Sequence, residues 1–183
     1  MAPRAHRRDP RPRVFRAGGH PVSDPVETLV TPVRLLYDWT ATSAQAEFLD
    51  AIQEGRLLGE RCPVCQNVYC PPSGSCARCG VETTERLDVA DKGTVVTFCI
   101  VRVPSQNIEV KLPYCAANIM LDGSNMPFIG LLQEVEAEDV HVGMRVEAVW
   151  APKSEWGPTF ENIRYFRPND EPDIPVESLG DWV

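Results

Sequence analysis

Little in this chain has the makings of a self-contained active site. Its three histidines are His6, His20 and His141. The first two fall in an Arg- and Pro-rich N-terminal stretch, and a single histidine just before Gly143 reads as a surface turn residue. There is no Gly-x-Ser-x-Gly elbow, no glycine-rich phosphate loop and no His-Glu pair at helical spacing. No apolar run approaches the roughly 18 residues that cross a bilayer, and the N-terminus lacks the apolar core of a secretory signal. The expectation is a cytoplasmic protein with no membrane partner. Basic charge is also scarce beyond the first residues. Residues 1–16 carry six arginines against one aspartate, so the total of −8 leaves a body of about −13. An acidic body disfavours a general nucleic-acid surface. Nucleic-acid binding is therefore the alternative reading, to which the basic arm lends support.

What the chain does have is cysteine in an informative pattern. Cys62-Pro63-Val64-Cys65 and Cys76-Ala77-Arg78-Cys79 are two Cys-x-x-Cys knuckles with ten residues between them. Each knuckle offers two thiolates from a turn, and two knuckles complete a tetrahedron around one metal ion. Pro71, Pro72 and Gly74 let the intervening chain fold back. Four thiolates saturate a zinc ion and leave no open position, so the expected cofactor is one structural Zn2+ per chain on Cys62, Cys65, Cys76 and Cys79. Iron in a rubredoxin-like site is the chemical alternative. Cys70, Cys99 and Cys115 are scattered. Cys70 reads as a free thiol near the site, and Cys99 and Cys115 as inert residues of apolar strands. Seven cysteines, four of them in metal spacing, fit a reducing compartment better than a disulfide framework.

The remaining pattern is mainly β. Residues 1–34 read as a disordered arm. Within 35–55, Ser43 to Glu54 reads as a helix with Ser43 as N-cap and Gly55 as terminator. Its apolar residues Ala44, Phe48, Ala51 and Ile52 share one face, which must dock on the body of the chain or on a partner. Residues 56–80 are the ribbon. Within 81–168, runs at 93–103, 114–121, 128–135, 145–150 and 159–166 predict five strands and a small barrel. Residues 169–183 read as an acidic, proline-rich tail, with Leu179 and Trp182 as a hint of docking in a partner groove. Zinc ribbons and OB-fold barrels also bind nucleic acid, which is the further support for the alternative reading of a nucleic-acid binder.

The order of these parts is familiar. A helix ending Glu54-Gly55-Arg56-Leu57 runs into Cys62-Pro63-Val64-Cys65. Tyr69, Pro71-Pro72 and Cys76-Ala77-Arg78-Cys79-Gly80 follow, then Gly93-Thr94-Val95, Pro113-Tyr114, Ile119-Met120-Leu121-Asp122-Gly123 and Val142-Gly143-Met144-Arg145-Val146. Over residues 35–168 the chain resembles the zinc-ribbon plus OB-fold proteins that accompany thiolase-superfamily enzymes in bacteria and archaea. It departs from them at Gln66-Asn67, where Gly is common; Asn tolerates the left-handed conformation of a knuckle turn. The resemblance implies a rubredoxin-like ribbon followed by a five-stranded OB-fold barrel. It also implies a non-catalytic subunit bound to a thiolase-like enzyme, in a heterotetramer around a thiolase dimer, with help in acyl-CoA binding. For that contact Arg102, Lys111 and Arg145 are the available surface cations, although solvation explains them equally well. The known relatives include the small subunit of a steroid side-chain acyl-CoA aldolase. No catalytic residue is carried onto this chain by the resemblance.

Overall fold

The computed structural model describes residues 35–36, 38–104 and 110–180. The readings made for residues 1–34, His6, His20 and Trp182 lie outside them. The elements below all belong to the unit Trp39–Val183.

Helix α1 spans Ser43–Gln53. Its N-cap is Thr42, one residue before the expected Ser43. The Thr42 hydroxyl accepts from Gln45 N, and the Gln45 side chain accepts from Thr42 N, a reciprocal capping box. Gly55 ends the helix at φ +77°. The buried face is Ala44, Phe48, Ala51 and Ile52, as the spacing predicts. It docks on the chain's own body. Phe48 stacks on Phe160 at 5.1 Å between ring centroids. The buried Asn162 amide donates to the Ile52 carbonyl at 3.0 Å, beside the Gly55 N–H at 3.2 Å, and so ties the helix C-terminus to the segment before the last strand.

Strands β1 (Leu57–Arg61), β2 (Val68–Tyr69) and β3 (Glu85–Val89) form a sheet of order β2-β1-β3, antiparallel throughout. The knuckles project from it. The barrel follows: β4 (Lys92–Val101), β5 (Tyr114–Leu121), β6 (Pro127–Leu132), β7 (Arg145–Trp150) and β8 (Ile163–Pro168), closed in the order β4-β5-β6-β8-β7. The β6–β8 contact is parallel and the other pairings are antiparallel, which is the five-stranded OB-like architecture. Gly93 lets β5 pass close to β4, since a Cβ there would meet Met120 O at 2.2 Å. One apolar core runs from Phe48, Ile52, Leu57, Val68 and Cys70 into Val95, Ile119, Leu121, Val146 and Phe166. Helix, ribbon root and barrel thus share a single interior. No helix among the described residues is long and apolar enough to cross a membrane.

Besides the helix cap, the strand expected over 128–135 ends at Leu132, and four further expectations need correcting. Residues 160–162 form a 3-10 turn before β8, because Thr159 caps Glu161 N and Asn162 turns inward to bind Ile52 and Gly157. Cys99 is exposed while Cys115 is buried, since odd-numbered residues of β5 point inward and Cys99 pairs with the outward Ala116. Arg145 is no surface cation; its side chain is 7% exposed. Residues 169–174 are no free tail, because Asn169, Glu171, Asp173 and Ile174 bind β7 and the turn before it.

Candidate metal centre

The geometry of the cysteine site begins in two matched turns. In the first, Gln66 N donates to Cys62 O at 3.0 Å and Cys62 N to Asn67 O at 2.9 Å. In the second, Gly80 N donates to Cys76 O and Cys76 N to Val81 O, both at 2.8 Å. The residue closing each turn is left-handed: Gln66 at φ +62° and Gly80 at φ +66°. Gln66, and not Asn67, therefore takes the conformation for which glycine is suited. Its side chain offsets part of the strain by donating to Pro63 O at 3.1 Å.

The loop between the knuckles is held by a group the sequence alone did not single out. Glu60 on β1 is fully buried. Its carboxylate accepts from Ser73 N at 2.7 Å, Gly74 N at 2.9 Å and Arg86 Nη1 at 3.2 Å. A buried carboxylate is tolerable only when its lone pairs are met in this way. Here it draws the Pro71–Gly74 loop back over β1 and so brings Cys76 toward Cys62.

The result is one cluster in which the sulfurs of Cys62, Cys65, Cys76 and Cys79 all lie within 4.8 Å of one another. Cys65 Sγ and Cys76 Sγ are 3.6 Å apart. Zn–S bonds of about 2.3 Å in a tetrahedron place sulfurs about 3.8 Å apart, so the donor set and its size fit zinc. All seven cysteines are free thiols. Backbone N–H groups of Val64 and Cys65 point at Cys62 Sγ (3.4 and 3.5 Å), and that of Cys79 at Cys76 Sγ (3.3 Å). The Tyr69 hydroxyl lies 3.1 Å from Cys76 Sγ, with both residues buried. This hydrogen bond pulls the Cys76 thiol down to about 6 and raises the Tyr69 phenol. Cys79 is pushed up to about 12, first by desolvation and then by neighbouring sulfurs. Thiols this close cannot all ionise unaided; a divalent cation supplies the charge that lets them. Cys70 stands apart in the shared core, its thiol pushed up to about 12 by burial.

The three cations considered for acyl-CoA are dispersed. Arg145 holds Asp122 through both Nη atoms (2.7 and 2.6 Å), Glu171 through Nε (2.9 Å) and Thr94 Oγ1 (2.9 Å). Arg102 pairs with Glu138. Lys111 lines a cleft of about 330 Å³ with Tyr114, Gln133 and Glu134. His141 is a surface turn residue bound to Asp139 O and Asp173.

Comparison with known proteins gives a consistent picture. A family model described as the rubredoxin-like zinc ribbon domain of ChsH2 matches residues 49–85, and one for the C-terminal OB-fold domain of ChsH2 matches residues 87–151. A DUF35 domain-containing scaffold protein of Methanocaldococcus jannaschii is 36% identical over 95 residues, covering 51% of this chain and 67% of that protein. Its counterpart in Pyrococcus furiosus is 33% identical, covering 51% and 68%. A probable enoyl-CoA hydratase alpha subunit of Thermomonospora curvata is 24% identical, and the match spans 57% of this chain but 32% of that protein. Among solved structures, an Ltp2-ChsH2(DUF35) aldolase chain has a similar fold, with a TM-score of 0.54 at 22% identity, covering 72% of this chain and 98% of that one.

Proposed function

This chain belongs to the DUF35 family of zinc-ribbon and OB-fold proteins, and on that premise we propose that it is the accessory subunit of an acyl-CoA enzyme whose catalytic subunit is thiolase-like. The reaction class is aldol cleavage of an acyl-CoA carbon–carbon bond, as in steroid side-chain degradation, or thiolysis, and the catalytic residues belong to the partner. One Zn2+ on Cys62, Cys65, Cys76 and Cys79 serves as a structural staple, and the assembly is a heterotetramer around a thiolase dimer in the cytoplasm. The description of the similar solved fold as an Ltp2-ChsH2 aldolase supports the aldolase version.

The observation that carries the reading is a continuous apolar band on the surface. Trp39, Phe160 and Ile129 are 59%, 48% and 76% exposed. They lie in three adjoining shallow clefts that share Phe160 and Ile129 and run from α1 across β6 to Phe98 and Ala116. An acidic protein of this size exposes such a band at a binding surface. Its occupant in this reading is the thiolase-like subunit.

Tagged protein purified from the source cell should bring down a thiolase-like chain identified by mass spectrometry, and Ile129→Glu should abolish the recovery without changing the circular dichroism. Recovery of no thiolase-like chain would overturn the reading. An acyl-CoA contact falls to Lys111, which lines the cleft beside Tyr114 and Gln133. Lys111→Ala should weaken acyl-CoA binding by the complex, and unchanged affinity removes that part of the proposal.

A further inference from the structure

The four cysteines are not equivalent. Cys62 and Cys76 are 0% and 1% exposed, whereas Cys65 and Cys79 are only half-buried. The hydrogen-bond donors follow the same division. Cys62 Sγ faces two backbone N–H groups, and Cys76 Sγ faces the Cys79 N–H and the Tyr69 hydroxyl. Among the described residues, no backbone N–H or hydroxyl points at the sulfur of Cys65 or Cys79. A metal-bound thiolate has no proton to give, so the phenol O–H is the donor and Cys76 the acceptor. Donors to a coordinated sulfur hold it in place and disperse its charge. A zinc ion held by the four sulfurs would be shielded from incoming ligands on the side of the buried Cys62 and Cys76 and reachable on the side of the half-buried Cys65 and Cys79.

We propose that the site is polarised, with Tyr69 a positioning residue that fixes Cys76 as the buried anchor and with Cys65 and Cys79 the ligands through which a bound zinc is exchanged. The inference rests on the reading of the four-cysteine cluster as a zinc site. Tyr69 belongs to the small cluster of Cys62, Tyr69 and Cys76 that is separate from the main core. Removing its hydroxyl while keeping the ring therefore tests the hydrogen bond apart from the packing.

The experiment uses the full zinc-loaded chain. Elemental analysis first counts the metal in the unsubstituted protein and in Tyr69→Phe. Zinc release to a chromophoric chelator is then timed, and cysteine modification by iodoacetamide is followed by mass spectrometry, with the exposed Cys99 as internal reference. Loss of such a supporting hydrogen bond is expected to speed release by about 10-fold or more, with one zinc per chain in both proteins. In the unsubstituted protein, Cys65 and Cys79 are expected to be alkylated before Cys62 and Cys76. Equal release rates, or alkylation of Cys76 as early as Cys65, would overturn the polarity while leaving the zinc reading intact. An unsubstituted protein without zinc would overturn both, and the metal count separates the two failures.

Discussion

Single residues here carry strain and charge that residue type alone does not announce. Gln66 sits at φ +62° where the matching position of the second knuckle is Gly80. A left-handed non-glycine residue costs roughly 1–2 kcal/mol, partly offset by the Gln66 amide bond to Pro63 O. Gln66→Gly should therefore stabilise the zinc-loaded protein by about 0.5 kcal/mol, read as a higher midpoint in urea at unchanged slope. A lower midpoint would show that the side-chain bond outweighs the strain. The need for a left-handed residue after the first knuckle was legible in the sequence, because both knuckles share one spacing. Which of Gln66 and Asn67 takes it was not, since that depends on how the turn closes back on Cys62. Glu60 was equally silent: nothing in Leu57-Leu58-Gly59-Glu60-Arg61 marks a buried carboxylate until the Ser73–Gly74 loop is laid over it.

At the scale of elements, helix, strands and knuckles were read largely in place, and the misplacements share a cause. The start of the expected last strand became a turn because Asn162 is drawn inward to the end of α1, a contact between residues 110 positions apart. The ribbon has two kinds of support. Its root contributes Leu57, Val68 and Cys70 to the main core, while its tip has the small cluster around Cys62, Tyr69 and Cys76. Three buried side chains are too few to order a loop against its conformational entropy. Removing the metal with a chelator should therefore loosen the tip alone. Limited proteolysis of the stripped protein is expected to cut between residues 62 and 82 while the barrel resists. Simultaneous loss of barrel and tip would mean that the metal supports the whole fold.

The whole molecule is tied by its C-terminal segment. Arg145, nearly buried on β7, binds Asp122 from the turn after β5 and Glu171 from the segment after β8, and Lys92 adds a second cation on Glu171. Both carboxylates raise the Arg145 guanidinium further above its ordinary value. Arg145→Met should cost about 2 kcal/mol, less than the 3–5 kcal/mol for a fully buried pair because both carboxylates reach water. Chemical denaturation measures it, and a loss under about 0.5 kcal/mol would class the network with ordinary surface pairs. His141 and Asp173 add a pH-dependent clasp. His141 Nδ1 faces Asp139 O and Nε2 faces Asp173 Oδ2, so both ring nitrogens donate and the imidazolium is favoured. Its pKa is raised, chiefly by the Asp139 carbonyl and then by Asp173, and that of Asp173 is lowered, chiefly by His141. The histidine's contribution is complete below about pH 6.5 and fades as pH rises through the raised value. The aspartate's is complete above about pH 4 and fades as pH falls through the lowered value. The clasp is strongest between, and since both groups are half-exposed it contributes about 0.5 kcal/mol or less. Stability of the parent relative to His141→Asn should narrow between pH 5.5 and 8.5, and a constant difference would remove the clasp.

The sequence by itself determined the order of helix, ribbon and barrel and the four sulfurs that meet. Cys-x-x-Cys spacing, strand alternation and glycine at turns act over a few residues, and each is written locally. Only the tertiary structure decided that helix, ribbon root and barrel share one core, that Arg145 and residues 169–174 belong to the barrel's framework, and that Cys62 and Cys76 are sheltered while Cys65 and Cys79 are not. Burial and long-range ion pairing depend on which distant segments come to lie side by side, and no local pattern encodes that. The four cysteines look alike in the sequence, and the fold makes them different by setting Tyr69 beside one of them.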